Sequence, residues 1–234
     1  MKLIEHMSRR ALLLALSAMP LLAHADLLDA FSSKDASAGL KQALEQGATQ
    51  AVATLGVQGG FLDSERYRIT LPANVRKVEP MLRAMGQGKA LDDLNLAMNR
   101  AAESAVAEAK PLLLNAVKQM TVQDAKGILA GGEDSVTQYF RSKTTDGLTQ
   151  KFLPVVSKAT SRLELAAQYN KLAAQGAALG LVKAEDANVE AYVTRKALDA
   201  LYLRIGEEEK AIRQNPAEAL GKIARQVFGA MGSK

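Results

Sequence analysis

Cysteine and tryptophan are absent from this chain, and histidine occurs only twice, as His6 and His24. Both histidines fall in the first 25 residues, which have the three parts of an export leader. Lys2, Arg9 and Arg10 make a basic start, Ala11–Leu22 is an uncharged and mostly apolar run, and Ala23-His24-Ala25 offers small residues for cleavage before Asp26. An apolar run this short does not span a bilayer, which needs about 20 residues. Ser8-Arg9-Arg10-Ala11-Leu12-Leu13 also resembles a twin-arginine signal. The chain is therefore expected to be exported to the periplasm, and no cysteine follows the cleavage site to carry a lipid.

Removing 25 of the 234 residues leaves a mature chain of 209 with neither imidazole nor thiol. Ser-His-Asp and Cys-His catalysis are then excluded, as are the usual zinc, haem and iron–sulfur ligand sets. No disulfide can form, although the expected compartment would permit one. A chain of this length buries about 70% of its unfolded surface without covalent staples. The leader takes away Lys2, Arg9 and Arg10 against Glu5, so the net charge falls by two from +5. That remainder is mild and contains no basic block, which gives nucleic-acid binding little support.

What is present is helical periodicity. Leu40, Leu44, Ala48, Ala51, Val52 and Leu55 recur three or four apart and end at Gly56. A longer stripe runs through Leu91, Leu94, Met98, Ala101, Ala105, Ala109, Leu112, Ala116 and Met120. Pro111 lies within it and predicts a break near Lys110. Aromatics make up only 4% of the chain, so helices must pack through Leu, Val, Ala and Met. One segment, Tyr67–Leu71, alternates apolar and polar β-formers and reads as an extended connector pinned onto the helices. Asn74 is expected to cap a helix through Met85 that Gly86-Gln87-Gly88 ends.

Further on, Lys151–Ala174 has a helical pattern with Pro154 near its start, and a small-residue linker covers Gly176 to Gly180. From Val189 to about Arg213, Val189, Val193, Ala197, Leu201 and Ile205 share a face, and Glu209 can pair with Arg213. Asn215-Pro216-Ala217-Glu218 then starts a last helix with Leu220, Ile223, Val227 and Phe228. The pattern predicts an all-α fold, a single domain over residues 26–234 built as a bundle of about seven helices.

The stretch most like a site is Ala125–Phe140, AKGILAGGEDSVTQYF. As a phosphate loop it fails, because the glycine spacing is wrong and Glu133 and Asp134 stand where positive charge is needed. Calcium fares no better, since Glu133, Asp134 and Ser135 are adjacent rather than alternating. Gly86-Gln87-Gly88 lacks the strand and third glycine of a dinucleotide fingerprint. Helix capping accounts for more residues. Thr121-Val122-Gln123-Asp124 has the form of a capping box, and Gly131 fits a left-handed helix end. Ser135-Val136-Thr137-Gln138 reads as a second box, and Thr145 with Asp146 as a third cap. Each cap contributes about 1 kcal/mol. No cofactor or metal is expected.

Asp124-Ala125-Lys126-Gly127-Ile128-Leu129, Gly131-Gly132 and Thr137-Gln138-Tyr139-Phe140 resemble the hallmark of an exported bacterial family, domain of unknown function 4197. Met98-Asn99-Arg100-Ala101-Ala102-Glu103, Gln168-Tyr169-Asn170-Lys171, Lys196-Ala197-Leu198-Asp199 and Glu207–Asn215 are similar to further pieces in order. The resemblance covers roughly Gly39 to Gly229 and implies an exported helical protein, with no activity or catalytic residues attached. Pro80 departs from the family pattern and puts the continuity of its helix in doubt.

The motif polar residues Asn99, Arg100, Glu103, Glu133, Asp134, Tyr139, Tyr169 and Glu208 are the candidate binding cluster. Helix geometry puts Asn99 and Glu103 on one face with Arg100 turned away. An ion pair between helices, from Arg100 to a glutamate, is the simpler structural account. Three functions fit. The first is a non-enzymatic binding or scaffold protein that recognises an envelope protein or a small ligand. The second is a glycan hydrolase pairing Glu103 with one of Glu207–Glu209, with Tyr169 positioning the substrate, since two carboxylates suffice for that chemistry. The third is membrane contact through the last helix, where Lys222 and Arg225 oppose the apolar face.

Overall fold

The computed structural model describes residues 33–178 and 188–214. The expected leader, the expected linker from residue 179 and the helix expected after Asn215 lie outside the described residues, while residues 176–178 of that linker are helical instead. Eight α-helices form among the described residues: α1 (Ser33–Leu55), α2 (Ala73–Leu82), α3 (Gly88–Ala107), α4 (Lys110–Lys118), α5 (Val122–Ala130), α6 (Ser135–Thr160), α7 (Glu164–Ala178) and α8 (Val189–Gln214). A π-helical turn, Arg83–Gln87, joins α2 to α3. No β-strand occurs among them. The fold is an all-α bundle.

Its centre is α3, α6 and α8, each packed on the other two. Helix α1 lies against α4 and α8, α5 closes one side against α1 and α6, and α7 covers α3 and α8. The predicted stripes supply the contacts. Leu91, Leu94, Met98, Ala101 and Ala105 of α3 are buried, and so are Val189, Val193, Ala197, Leu201 and Ile205 of α8. Ala102 joins the α3 stripe, and its small side chain lets neighbouring helices approach. Pro111 breaks the long stripe as expected: α3 stops at Ala107, and α4 starts with the proline in its first turn, where a missing N–H is harmless.

Gly56 ends α1 for a packing reason. A Cβ there would sit 2.9 Å from the Cα of Ala107, so only glycine lets the C-termini of α1 and α3 meet. Turns follow, with Phe61 fully buried as a plug. Residues 68–72 then belong to no helix or strand, and Ile69 and Leu71 are inward, as the alternation predicts.

Local capping was less faithful. Asn74 lies inside α2, whose N-cap is Pro72 with no side-chain bond. Pro80 does not end α2, which continues through it at the loss of one ladder hydrogen bond. The chain kinks at Gly86, where φ is +82°. The Thr121 box is real: Asp124 N–H donates to Thr121 Oγ1 at 3.0 Å and Thr121 N–H donates to Asp124 Oδ2 at 2.9 Å. Gly131 is not left-handed but extended (φ −79°, ψ 173°). It is glycine because a Cβ would lie 2.6 Å from the Cβ of Ser135. Thr145 and Asp146 cap nothing, since α6 runs unbroken through them and Thr145 Oγ1 bonds back to the Arg141 carbonyl. The helix expected from Lys151 is the second half of α6, and α7 is a separate element.

Candidate functional site

The motif around Asn99 forms a clasp on the connector. Asn99 is fully buried and acts as a surrogate strand partner for Ile69: its Oδ1 accepts the Ile69 N–H at 2.8 Å and its Nδ2 donates to the Ile69 carbonyl at 2.9 Å. One turn later, Glu103 Oε1 accepts the N–H groups of Gly59, Phe61 and Leu62 at 3.0, 3.1 and 3.1 Å. Its other oxygen pairs with Arg100 Nη1 at 2.7 Å. The Arg100 pairing is therefore within α3 at i,i+3, and Arg100 does not turn away from Glu103 as the wheel suggested. Three amides and a guanidinium thus occupy the one carboxylate of Glu103.

A second buried carboxylate does the same for a helix end. Glu209 of α8 accepts Val136 N–H and Thr137 N–H, both at 3.1 Å, and Thr137 Oγ1 at 3.0 Å. Arg213 balances it at 2.9 Å, which realises the expected i,i+4 pair. The N-terminus of α6 is thus capped from α8 and not by the Ser135 box. Ser135 Oγ instead donates to the Ile128 carbonyl, and Gln138 donates to Asp134. The amide that the box would need, Gln138 N–H, donates to the Asp134 carbonyl at 2.9 Å, because α6 has Asp134 as its N-cap.

The remaining candidates make separate contacts. Glu208 pairs with Arg204, while Glu207 takes Arg66, Arg204 and the Tyr67 hydroxyl. Burial, and then the Glu207 carboxylate, push the Tyr67 hydroxyl up to about 12. Tyr139 donates to the Ala116 carbonyl at 2.7 Å, joining α6 to α4, and burial raises it to about 12 as well. Glu133 and Asp134 are exposed in the turn before α6. Tyr169 is buried on α7. Among the candidates, Arg100 and Glu103 pair directly, and Asn99 sits one turn before Glu103 on the same helix.

The open concavity lies elsewhere. A cleft of about 660 Å³ runs between α6, α7 and the start of α8, with Leu153, Pro154 and Ser157 on one wall and Asn170, Asn188 and Glu190 on the other. Asn170 bridges the second wall. Its Nδ2 donates to Glu190 Oε2 at 2.9 Å, and its Oδ1 accepts the Val189 N–H at 2.8 Å. The void bordered by Glu208 and Glu209 is about 10 Å³, room for one water.

The family model described as Protein of unknown function (DUF4197) matches residues 30–229. The chain belongs to that family. No curated protein and no solved structure matches it.

The residues that the DUF4197 resemblance brought forward thus divide. Asn99, Glu103 and Glu209 organise backbone, whereas Asn170, from the same set of matching pieces, lines the cleft. Sequence reasoning passed over Glu190. An acid in the first turn of a helix is so common that position alone gives no signal for it. Glu209 had a signal, the spacing to Arg213, but not its distant amide partners.

Proposed function

We propose that this protein is an exported, non-enzymatic binding protein of the cell envelope, and that the cleft between α6, α7 and α8 is its binding surface. The N-terminal leader pattern supports export. The observation that carries the binding reading is where the acids are used. Glu103, Glu207, Glu208 and Glu209 each meet an arginine, and Glu103 and Glu209 also hold backbone amides, while the open cleft lies apart from them. A carboxylate engaged in this way is a poor general acid or nucleophile. The glycan-hydrolase alternative draws no support from such pairs. Membrane contact through the last helix concerns residues outside those described. Among the described residues no helix is long and apolar enough to cross a membrane.

The test is fractionation of cells expressing the full chain, with N-terminal sequencing and native mass spectrometry of the recovered protein. The reading expects periplasmic protein beginning at Asp26 and carrying a bound mass that an occluding Ala174→Trp substitution removes. Uncleaved cytoplasmic protein would refute export. Hydrolysis of peptidoglycan that is lost in Glu103→Gln would refute the non-enzymatic reading.

A further inference from the structure

The ligand class follows from a contrast among the acids. Glu190 receives only neutral donors: Asn170 Nδ2 at 2.9 Å on one oxygen and Thr160 Oγ1 at 3.0 Å on the other. The Thr160 hydroxyl has a single proton and also lies 3.1 Å from the Val156 carbonyl, so its donation is divided. No cation pairs with Glu190 among the described residues, unlike Glu103, Glu207, Glu208 and Glu209. Its position in the first turn of α8 explains how the bare charge is tolerated, since helix N-termini favour an acid there. Asn170 is itself fixed by the Val189 amide, so the carboxylate is held in place before any ligand arrives. Opposite it, Leu153 and Pro154 supply an apolar wall.

We propose that this cleft takes a ligand carrying a primary ammonium or guanidinium group on a short apolar stem, the cation on Glu190 and the stem along Leu153 and Pro154. The proposal rests on the cleft being the binding surface. Carboxylate lone pairs not used by Thr160 and Asn170 accept the ligand's N–H groups, and the cleft is open enough for the ligand to reach them.

Calorimetric titration of the purified protein with cadaverine and agmatine tests it, with 1,5-pentanediol and glutarate as uncharged and anionic controls of similar length. The two cations are expected to bind at least about tenfold more tightly than either control, as for a charge-assisted contact. Glu190→Gln, which keeps the shape and the Asn170 contact, should lose about that factor. Ala174→Trp, which leaves the carboxylate and fills the cleft, should lose it too. Both variants should keep the wild-type circular dichroism. Equal binding of pentanediol, or cation binding that survives either substitution, overturns the proposal. A co-purified neutral or anionic molecule displaced by Ala174→Trp would overturn the cationic class while sustaining the cleft as binding surface. Silence in both experiments would overturn both.

Discussion

The connector of residues 57–71 and the elbow of residues 76–90 are neighbours in the chain and opposites in how they are held. The connector has almost no regular secondary structure, yet Phe61, Ile69 and Leu71 are 0%, 3% and 6% exposed. The elbow is helical nearly throughout, yet it contains no buried side chain, and Val78, Met81 and Met85 are 40%, 57% and 68% exposed. The difference is the partner each finds. Asn99 and Glu103 supply the hydrogen bonds that a sheet would otherwise give the connector, whereas the elbow satisfies its backbone internally and has little to pack against. Regular structure and anchoring are thus separate properties here, and a buried amide and carboxylate achieve the second without the first.

The largest effect should come from Glu103→Ala. It leaves the amides of Gly59, Phe61 and Leu62 without an acceptor and Arg100 without its partner, and is expected to lower stability by about 4 kcal/mol in urea unfolding. Glu103→Gln, with one carbonyl oxygen still in place, should cost roughly half of that.

Alkaline pH should loosen the connector next. Tyr67 is raised from 10.0 to about 12 in the folded protein, so above pH 10 the unfolded chain releases its proton first. Fewer protons in the unfolded state make stability fall with pH, and the contribution present below pH 10 disappears as pH approaches 12. Thermal unfolding between pH 9 and 11 should show this loss. Tyr67→Phe should remove the share belonging to Tyr67 and leave that of Tyr139, which is raised by a similar amount.

The elbow should respond less. Gly86 has φ +82° and open space around the position of a Cβ, so Gly86→Ala meets strain but no clash and should cost about 1 kcal/mol. Met81→Ala and Met85→Ala remove exposed side chains and should change stability by no more than about 0.5 kcal/mol in the same assay.

The contrast also marks how far the sequence could be read. Period alone located the faces of α3 and α8, because a stripe such as Val189 to Ile205 is a local property of the chain. The Thr121–Asp124 box was legible for the same reason, its two partners being three residues apart. The Ser135 box had equal local merit and failed because α6 begins one residue earlier, so the Gln138 N–H goes to the Asp134 carbonyl while Glu209, 73 residues away, takes the Val136 N–H. Asn99 and Glu103 were correctly set on a common side of α3, but nothing local says that this side faces a loop instead of a ligand. Tertiary placement also decided the cleft, since Thr160, Asn170 and Glu190 come from three helices whose arrangement periodicity does not encode.

Amide hydrogen exchange, followed by mass spectrometry on wild type and Glu103→Gln, tests the central claim that these motif residues anchor backbone. The account predicts slow exchange at Phe61, Leu62 and Ile69 in the wild type. In the variant, exchange should quicken around residues 59–62, with residues 76–90 unchanged. Protection over residues 59–62 that persists undiminished in Glu103→Gln would contradict it.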